Sequence, residues 1–180
     1  LRVVGAFLDA RDRITLATTA PLSERQQRGI SLGAAGAVKG VKASAPSGGK
    51  PIYEITLKRP IDVDDVGHVR MTFDERLFDD MPEQVVYARD VLDGAEFAAL
   101  DAPLGPRYAP EATEFATWSP VADEVELVLW KPGATAPESM RLARAPKGLW
   151  SARVTGDLHG ARYRYRFTHY GQTSEAADAH

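Results

Sequence analysis

The sequence contains no cysteine. That excludes disulfides, thiolate metal sites and a cysteine nucleophile together. It leaves the redox compartment open, because a cysteine-free chain is compatible with either side of a membrane. No apolar run approaches the roughly 18–20 residues that a membrane helix needs, and no stretch carries the 3.6-residue period of a long amphipathic helix. A basic excess is missing too: Lys+Arg 22 stands against Asp+Glu 25, a formal net charge of -3. Nucleic-acid surfaces need a concentrated basic patch, so the expected partners include neither nucleic acid nor membrane.

What is present is the composition of a folded chain, 44% hydrophobic and 26% charged over 180 residues, long enough for one or two domains with real cores. The chain opens Leu1-Arg2-Val3-Val4-Gly5 without an initiator methionine or the n- and h-regions of a signal peptide. The expectation is a part of a longer protein.

The apolar pattern is short and strand-like. Val3–Phe7, Ile14–Thr18, Ile52–Leu57, Val66–Phe73 and the run Gln84-Val85-Val86-Tyr87-Ala88 fit strand length. Pro21, Pro60 and an exposed, mobile hairpin loop at Pro46–Lys50 punctuate them. After residue 100 the pattern sharpens into Phe115–Trp118, Val125–Trp130, Leu149–Val154 and Tyr163–Phe167. In the last of these a period of two sends the aromatics to one face and Arg162, Arg164 and Arg166 to the other. Many short strands with regular turns predict an all-β chain of tandem β-sandwiches. The break falls at Val91–Glu96, giving domains 1–94 and 95–180.

Catalytic motifs are missing. His68, His159, His169 and His180 lie in no HExxH and near no GxSxG elbow, and read as turn or surface residues. Gly33–Gly40 and Gly48–Lys50 lack the Gly-Lys-Ser/Thr of a phosphate loop. Asp62, Asp64 and Asp65 cluster hard oxygen ligands and form a weak candidate calcium loop, although Phe73 stands where an EF-hand would place glutamate. The bland reading of that loop is a solvated turn. Asp79-Asp80 reads as acidic loop surface. Aromatics are the remaining lead, since a flat ring exposed on a sheet is a platform for a sugar. Trp118 is expected in the core. Trp130 and Trp150, at a strand end and after a turn, are the candidate stacking rings, joined by Lys131 and Tyr170 as candidate glucan contacts.

Residues of the second half occur in a telling order: Leu104-Gly105-Pro106-Arg107-Tyr108, Thr113-Glu114-Phe115-Ala116-Thr117-Trp118-Ser119-Pro120-Val121-Ala122, Val125–Trp130, Gly148-Leu149-Trp150, and Gly156-Asp157-Leu158-His159-Gly160 leading to Tyr163-Arg164-Tyr165. This order resembles the family 48 carbohydrate-binding module of the starch-debranching branch of the α-amylase superfamily. The first half, through Ala6–Asp9, Ile14–Leu16, Tyr53–Leu57, Val91–Asp93 and Glu96-Phe97, is similar to the accessory β domain preceding that module in type I pullulanases.

The resemblance implies two immunoglobulin-like β-sandwiches ahead of a catalytic (β/α)8 barrel of the same polypeptide that these residues do not contain. It implies no catalytic residue here, α-glucan (pullulan, amylopectin or limit dextrin) as partner, no cofactor beyond the candidate calcium, and hydrolysis of α-1,6 linkages by the parent enzyme. The alternatives are a scaffold without ligand and an autonomous glucan-binding module. Secretion is favoured slightly by the extra N-terminal module. Glycogen-binding members carry tryptophan after a Gly-Gln pair, where this chain has Thr173.

Overall fold

The computed structural model describes residues 1–78, 81–98 and 103–176. Asp79-Asp80 and His180 lie outside them. The chain divides into two compact units, Leu1–Glu96 and Phe97–His180. Among the described residues both are built from short strands arranged as pairs of sheets, with no barrel.

The first unit runs β1 (Val3–Ala10), β2 (Arg13–Thr18), a one-turn helix α1 (Glu24–Arg28), β3 (Ile30–Ser31), β4 (Val38–Ser47), β5 (Lys50–Leu57), β6 (Arg70–Phe73), β7 (Gln84–Val85) and β8 (Tyr87–Ala88). A short helix α2 (Ala95–Ala98) follows. One sheet has the order β4-β5-β2-β1-β8 and the other β3-β6-β7. Alternate residues of β1, β2 and β5 supply Leu8, Ile14, Leu16 and Ile55, and Met71 comes from β6; all are fully buried. Each contributes about 1.5–3 kcal/mol of burial.

Three features depart from the sequence pattern. The run Val66–Phe73 is a strand only from Arg70, because Val66 and Val69 are buried from a turn that begins with a 3-10 stretch at Val63–Asp65. The run Gln84–Ala88 is split. Val85 pairs with Arg70 and Tyr87 runs parallel to Phe7, while the Val86 N–H turns to Val69 O at 3.1 Å. The chain changes sheets at this buried valine. The expected loop at Pro46–Lys50 shrinks to a two-residue turn, Gly48-Gly49, with both φ positive. That is the requirement of the tight hairpin turn whose twist matches its strands.

The second unit comprises β9 (Gly105–Ala109), β10 (Ala112–Trp118), β11 (Glu124–Trp130), β12 (Glu138–Arg141), β13 (Ala143–Ala145), β14 (Leu149–Thr155), β15 (Arg162–His169) and β16 (Gln172–Ala176). The sheets are β13-β14-β10-β9 and β12-β11-β15-β16. Phe115 and Trp150 from the first meet Val125, Leu127, Leu129 and Tyr165 from the second in one core. Along β15 the expected alternation holds. Tyr163, Tyr165, Phe167 and His169 form a continuous ladder, with ring centroids 5.6, 6.1 and 5.6 Å apart, and Phe115 meets Tyr163 edge-on at 5.0 Å.

One corner ties the two sheets. At the end of β10 the Ser119 N–H donates to Gly148 O at 2.8 Å. The Trp118 indole N–H donates to Lys147 O at 3.0 Å, and the Trp150 indole N–H donates to Ser119 O at 2.9 Å. Ser119 Oγ lies 2.9 Å from His169 Nε2, which joins this corner to β15. His169 is therefore half-buried rather than a surface residue, and burial holds its pKa below the ordinary imidazole value, against a weaker upward pull from Asp123. Gly148 sits at φ +77, and a Cβ there would come within 2.3 Å of the Pro120 Cα.

Two expectations follow for the second unit. Gly148→Ala combines left-handed strain of about 1–2 kcal/mol with overpacking of about 1–3 kcal/mol. Trp150→Ala opens a core cavity worth about 3–5 kcal/mol. Either loss should appear as a large fall in the urea midpoint, whereas Trp130→Ala at the surface should move it little. A second expectation concerns pH. Because the folded pKa of His169 is depressed, the unfolded chain takes up its proton first as pH falls. Its contribution is therefore complete above about pH 6.5, the unfolded value. It is lost as pH drops from there to the folded pKa. Urea midpoints at pH 7.5 and 5.5 should diverge less in His169→Gln than in the parent; equal divergence would remove His169 as the cause.

Candidate functional site

The period of two that sends the β15 aromatics inward places Arg162, Arg164 and Arg166 on the outer face of the sheet. Strand pairing surrounds them with acids. Arg166 faces Glu126 on β11 and Glu175 on β16. Its Nη1 donates to Glu126 Oε2 at 3.0 Å and its Nη2 to Glu175 Oε1 at 2.9 Å, while Arg164 Nη1 donates to Glu175 Oε2 at 2.6 Å. Arg166 and then Arg164 hold the Glu175 carboxyl below the usual carboxylate range. The same bonds, Glu175 first and Glu126 second, raise the Arg166 guanidinium. Around Arg164 and Arg166 this face is a charge-compensated ladder.

At one end of the ladder stands Trp130. It pairs with Arg162 across the strands, and the guanidinium carbons of Arg164 and Arg162 lie 4.7 and 5.9 Å from its ring centroid. Beside it a shallow cavity of about 300 Å³ is lined by Trp130, Arg162, Tyr163, Arg164 and Glu175. Lys131 follows, its Nζ 2.8 Å from Glu138 Oε2 on β12. The end of β11 thus presents a part-exposed indole edged by cations and carboxylates. Such a surface can stack a neutral ring and hydrogen-bond its hydroxyl groups.

The other sequence candidates do not gather there. Trp150 is only 5% exposed and packs in the core with its N–H satisfied by Ser119 O, so its ring offers no surface for a sugar. The pattern suggested a platform because Trp150 follows a turn, but β14 is central in its sheet and points this residue inward. Tyr170 occupies the tight turn between β15 and β16 at φ +50. Eight positions separate it from Arg162, the partner of Trp130. At about 3.3 Å per residue it lies roughly 26 Å away, at the opposite end of the sheet. Trp118, expected in the core, is only partly buried. Thr173 pairs with Thr168, their hydroxyls 3.2 Å apart, so no second indole flanks the ladder on β16.

In the first unit Asp64 and Asp65 belong to the 3-10 turn that Asp62 precedes. Among the described residues no group of three or more His, Cys, Asp or Glu side chains is placed to hold a metal ion. A wide groove along α1 and the start of β4 has no aromatic residue in its lining and offers nothing for a ring to stack on.

Sequence reasoning missed another arrangement, in the second unit. Tyr108 on β9 donates its hydroxyl hydrogen to Asp157 Oδ1 at 2.8 Å, and the His159 N–H donates to the same oxygen at 2.9 Å. These bonds, His159 first, depress the Asp157 pKa, and the bond to Asp157 raises that of the Tyr108 phenol. The signal lay in the turn Gly156-Asp157-Leu158-His159-Gly160, where an aspartate two residues before a backbone N–H is an Asx-type turn. Nothing in the sequence says that Tyr108, 49 positions earlier, closes on it.

Comparison with known proteins bears on the family and the fold. Residues 103–180 match the family Carbohydrate-binding module 48 (Isoamylase N-terminal domain). A pullulanase of Bacillus subtilis (strain 168) is 31% identical over 78 residues, 43% of this chain and 11% of that protein. Two solved structures share the fold of nearly the whole chain at 22% identity. They are a pullulanase from Anoxybacillus sp. LM18-11 complexed with maltotriose and the type I pullulanase of Bacillus subtilis str. 168 complexed with maltose. Their TM-scores are 0.73 and 0.71, covering 99% and 98% of this chain but 25% and 24% of theirs. The chain thus spans a quarter or less of these relatives' length. Residues 103–180 are thus similar to carbohydrate-binding module 48, and the chain as a whole shares its fold with a β-rich quarter of these pullulanase structures.

Proposed function

We propose that this chain provides the non-catalytic N-terminal modules of a pullulanase-like debranching enzyme, which hydrolyses α-1,6-glucosidic bonds. In this reading residues 1–94 are the accessory sandwich and 95–180 the glucan-binding module. The module positions pullulan, amylopectin or limit dextrin for a downstream barrel and packs on it. The observation that carries the reading is the part-exposed Trp130 at the end of the compensated Arg–Glu ladder, in a domain of a carbohydrate-binding family. Arg164 and Arg166 on that face are already paired with Glu126 and Glu175, so the surface favours a neutral, hydroxyl-rich ligand over an ion. Trp130 stacks the sugar, and Lys131 and Arg164 edge it. Tyr170 lies too far along the sheet to contact the same sugar ring, so any glucan contact it makes is separate.

A second reading has its own support. Two guanidinium groups stand over the Trp130 ring and Thr173 supplies no second indole. On that reading the units are scaffolding without ligand. Titration with β-cyclodextrin followed by tryptophan fluorescence separates the two. The proposal expects saturable quenching that weakens at least tenfold, about 1.4 kcal/mol, in Trp130→Ala while the urea midpoint stays close to the parent's. Silence up to about 10 mM sugar would leave the scaffold.

A further inference from the structure

We propose a second sugar subsite in the carbohydrate-binding domain, at the mouth of its core, which takes one pyranose ring of an α-glucan. The choice of glucan rests on the function proposed above; the site itself rests on other residues.

A cavity of about 320 Å³ opens between β9, β10 and the segment entering β15. Tyr108, Thr113, Phe115, Leu158, His159 and Tyr163 are among its walls. Here the sandwich core reaches the surface, because Phe115 and Tyr163 are core residues and Tyr108 is 48% exposed. The volume lies at the small end of the roughly 300–1,000 Å³ range of ligand cavities. It suits a single ring rather than an extended chain.

The lining matches the two-sided chemistry of a pyranose, whose C–H faces are apolar and whose rim is hydroxylated. Phe115 and Tyr163 meet at 5.0 Å, and Tyr108 and His159 at 6.0 Å, so aromatic surface flanks the opening. A polar group stands beside the opening: Asp157 is outside the lining but bonds two residues in it, Tyr108 and His159. Asp157 receives both of its hydrogen bonds on Oδ1, from Tyr108 and the His159 N–H, and among the described residues Oδ2 takes none. That carboxylate oxygen is an acceptor for a sugar hydroxyl. Its bond to Tyr108 also fixes the exposed ring in place, so less side-chain freedom is lost on binding. Thr113 adds a second sign. It is 2% exposed, lies in the wall, and its Oγ1 has no hydrogen-bond partner among the described residues. An unpartnered buried hydroxyl calls for a missing partner, and a ring hydroxyl entering the cavity is a candidate for it. Tyr163 borders both this cavity and the Trp130 cavity. A glucan resting on Trp130 therefore has a neighbouring subsite at the same end of the sheet.

The test is a titration of the isotopically labelled 180-residue chain with maltose and with maltoheptaose. It follows the Thr113, Leu158 and Ala161 methyl resonances and the Trp130 indole resonance. The proposal expects saturable maltose shifts at the three methyl groups, retained in Trp130→Ala and weakened at least tenfold in Tyr108→Ala. Tyr108→Phe, which keeps the ring and drops only the tether, should weaken binding about threefold. Thermal unfolding of each variant serves as the folding control. If the indole shifts while the methyls stay still, this subsite falls and the proposed function stands. Methyl shifts with a silent indole keep the subsite and remove Trp130 as the platform. No shift with either sugar overturns both, and methyl shifts unchanged by both Tyr108 variants overturn the subsite.

Discussion

The corner where Trp118-Ser119-Pro120 meets Lys147-Gly148 is the constraint on which the second unit depends. A β-sandwich must hold two sheets in register although no backbone ladder joins them. Here the Ser119 N–H and carbonyl both bond to the β13–β14 side of their own sheet, through Gly148 and Trp150, while its hydroxyl reaches His169 on the other. One serine thus uses three polar groups to pin β10, β14 and β15. The price is a backbone approach so close that only glycine fits at position 148. Trp150 is committed by the same geometry. Its ring fills the core between the sheets and its N–H closes the corner, so it is unavailable to a ligand.

Fixing β15 in this way determines both faces of the sheet at once. Period-two alternation means that a register which buries Tyr165 must expose Arg164 and Arg166. The exposed arginines then find Glu126 and Glu175 at neighbouring positions on β11 and β16. Surface ion pairs of this kind add little stability. Their consequence is chemical: the guanidinium groups are held in fixed directions with their charge compensated. Arg164 can stand over Trp130 because Glu175 holds its other side. The character of the ledge therefore derives from the core, through strand register.

Legibility followed the same physics. Strands with buried, alternating apolar residues, such as β2, β5, β11 and β15, were readable because the pattern encodes their burial. β4 was not, being an edge strand of Val38-Lys39-Gly40-Val41-Lys42-Ala43-Ser44 with almost nothing buried. The helix α1 carried a signal that went unused: Ser23 and Gln26 form a reciprocal capping box. Of the site, Trp130 and Lys131 were visible because strand ends and turns are visible. That Trp150 is central and Tyr170 distant depends on sheet order and register, which no local pattern reports. The candidate calcium loop shows the same limit of local pattern. Asp62, Asp64 and Asp65 are near one another in sequence, but spacing alone does not report the convergence that ligation needs.

A surface of this size says something about how it can work. One indole and a cavity that suits one ring bury far less area than a tight interface, so affinity for a free oligosaccharide should be modest. A weak site is still effective when it is tethered. Under the proposed function, tethering to a catalytic domain that acts on the same polymer would give it an effective ligand concentration in the millimolar range. Occupancy then depends on geometry more than on intrinsic affinity. Under the proposed function this favours a rigid ledge over a deep pocket: the module contributes direction, and rigidity is what the Ser119 corner and the paired arginine ladder supply.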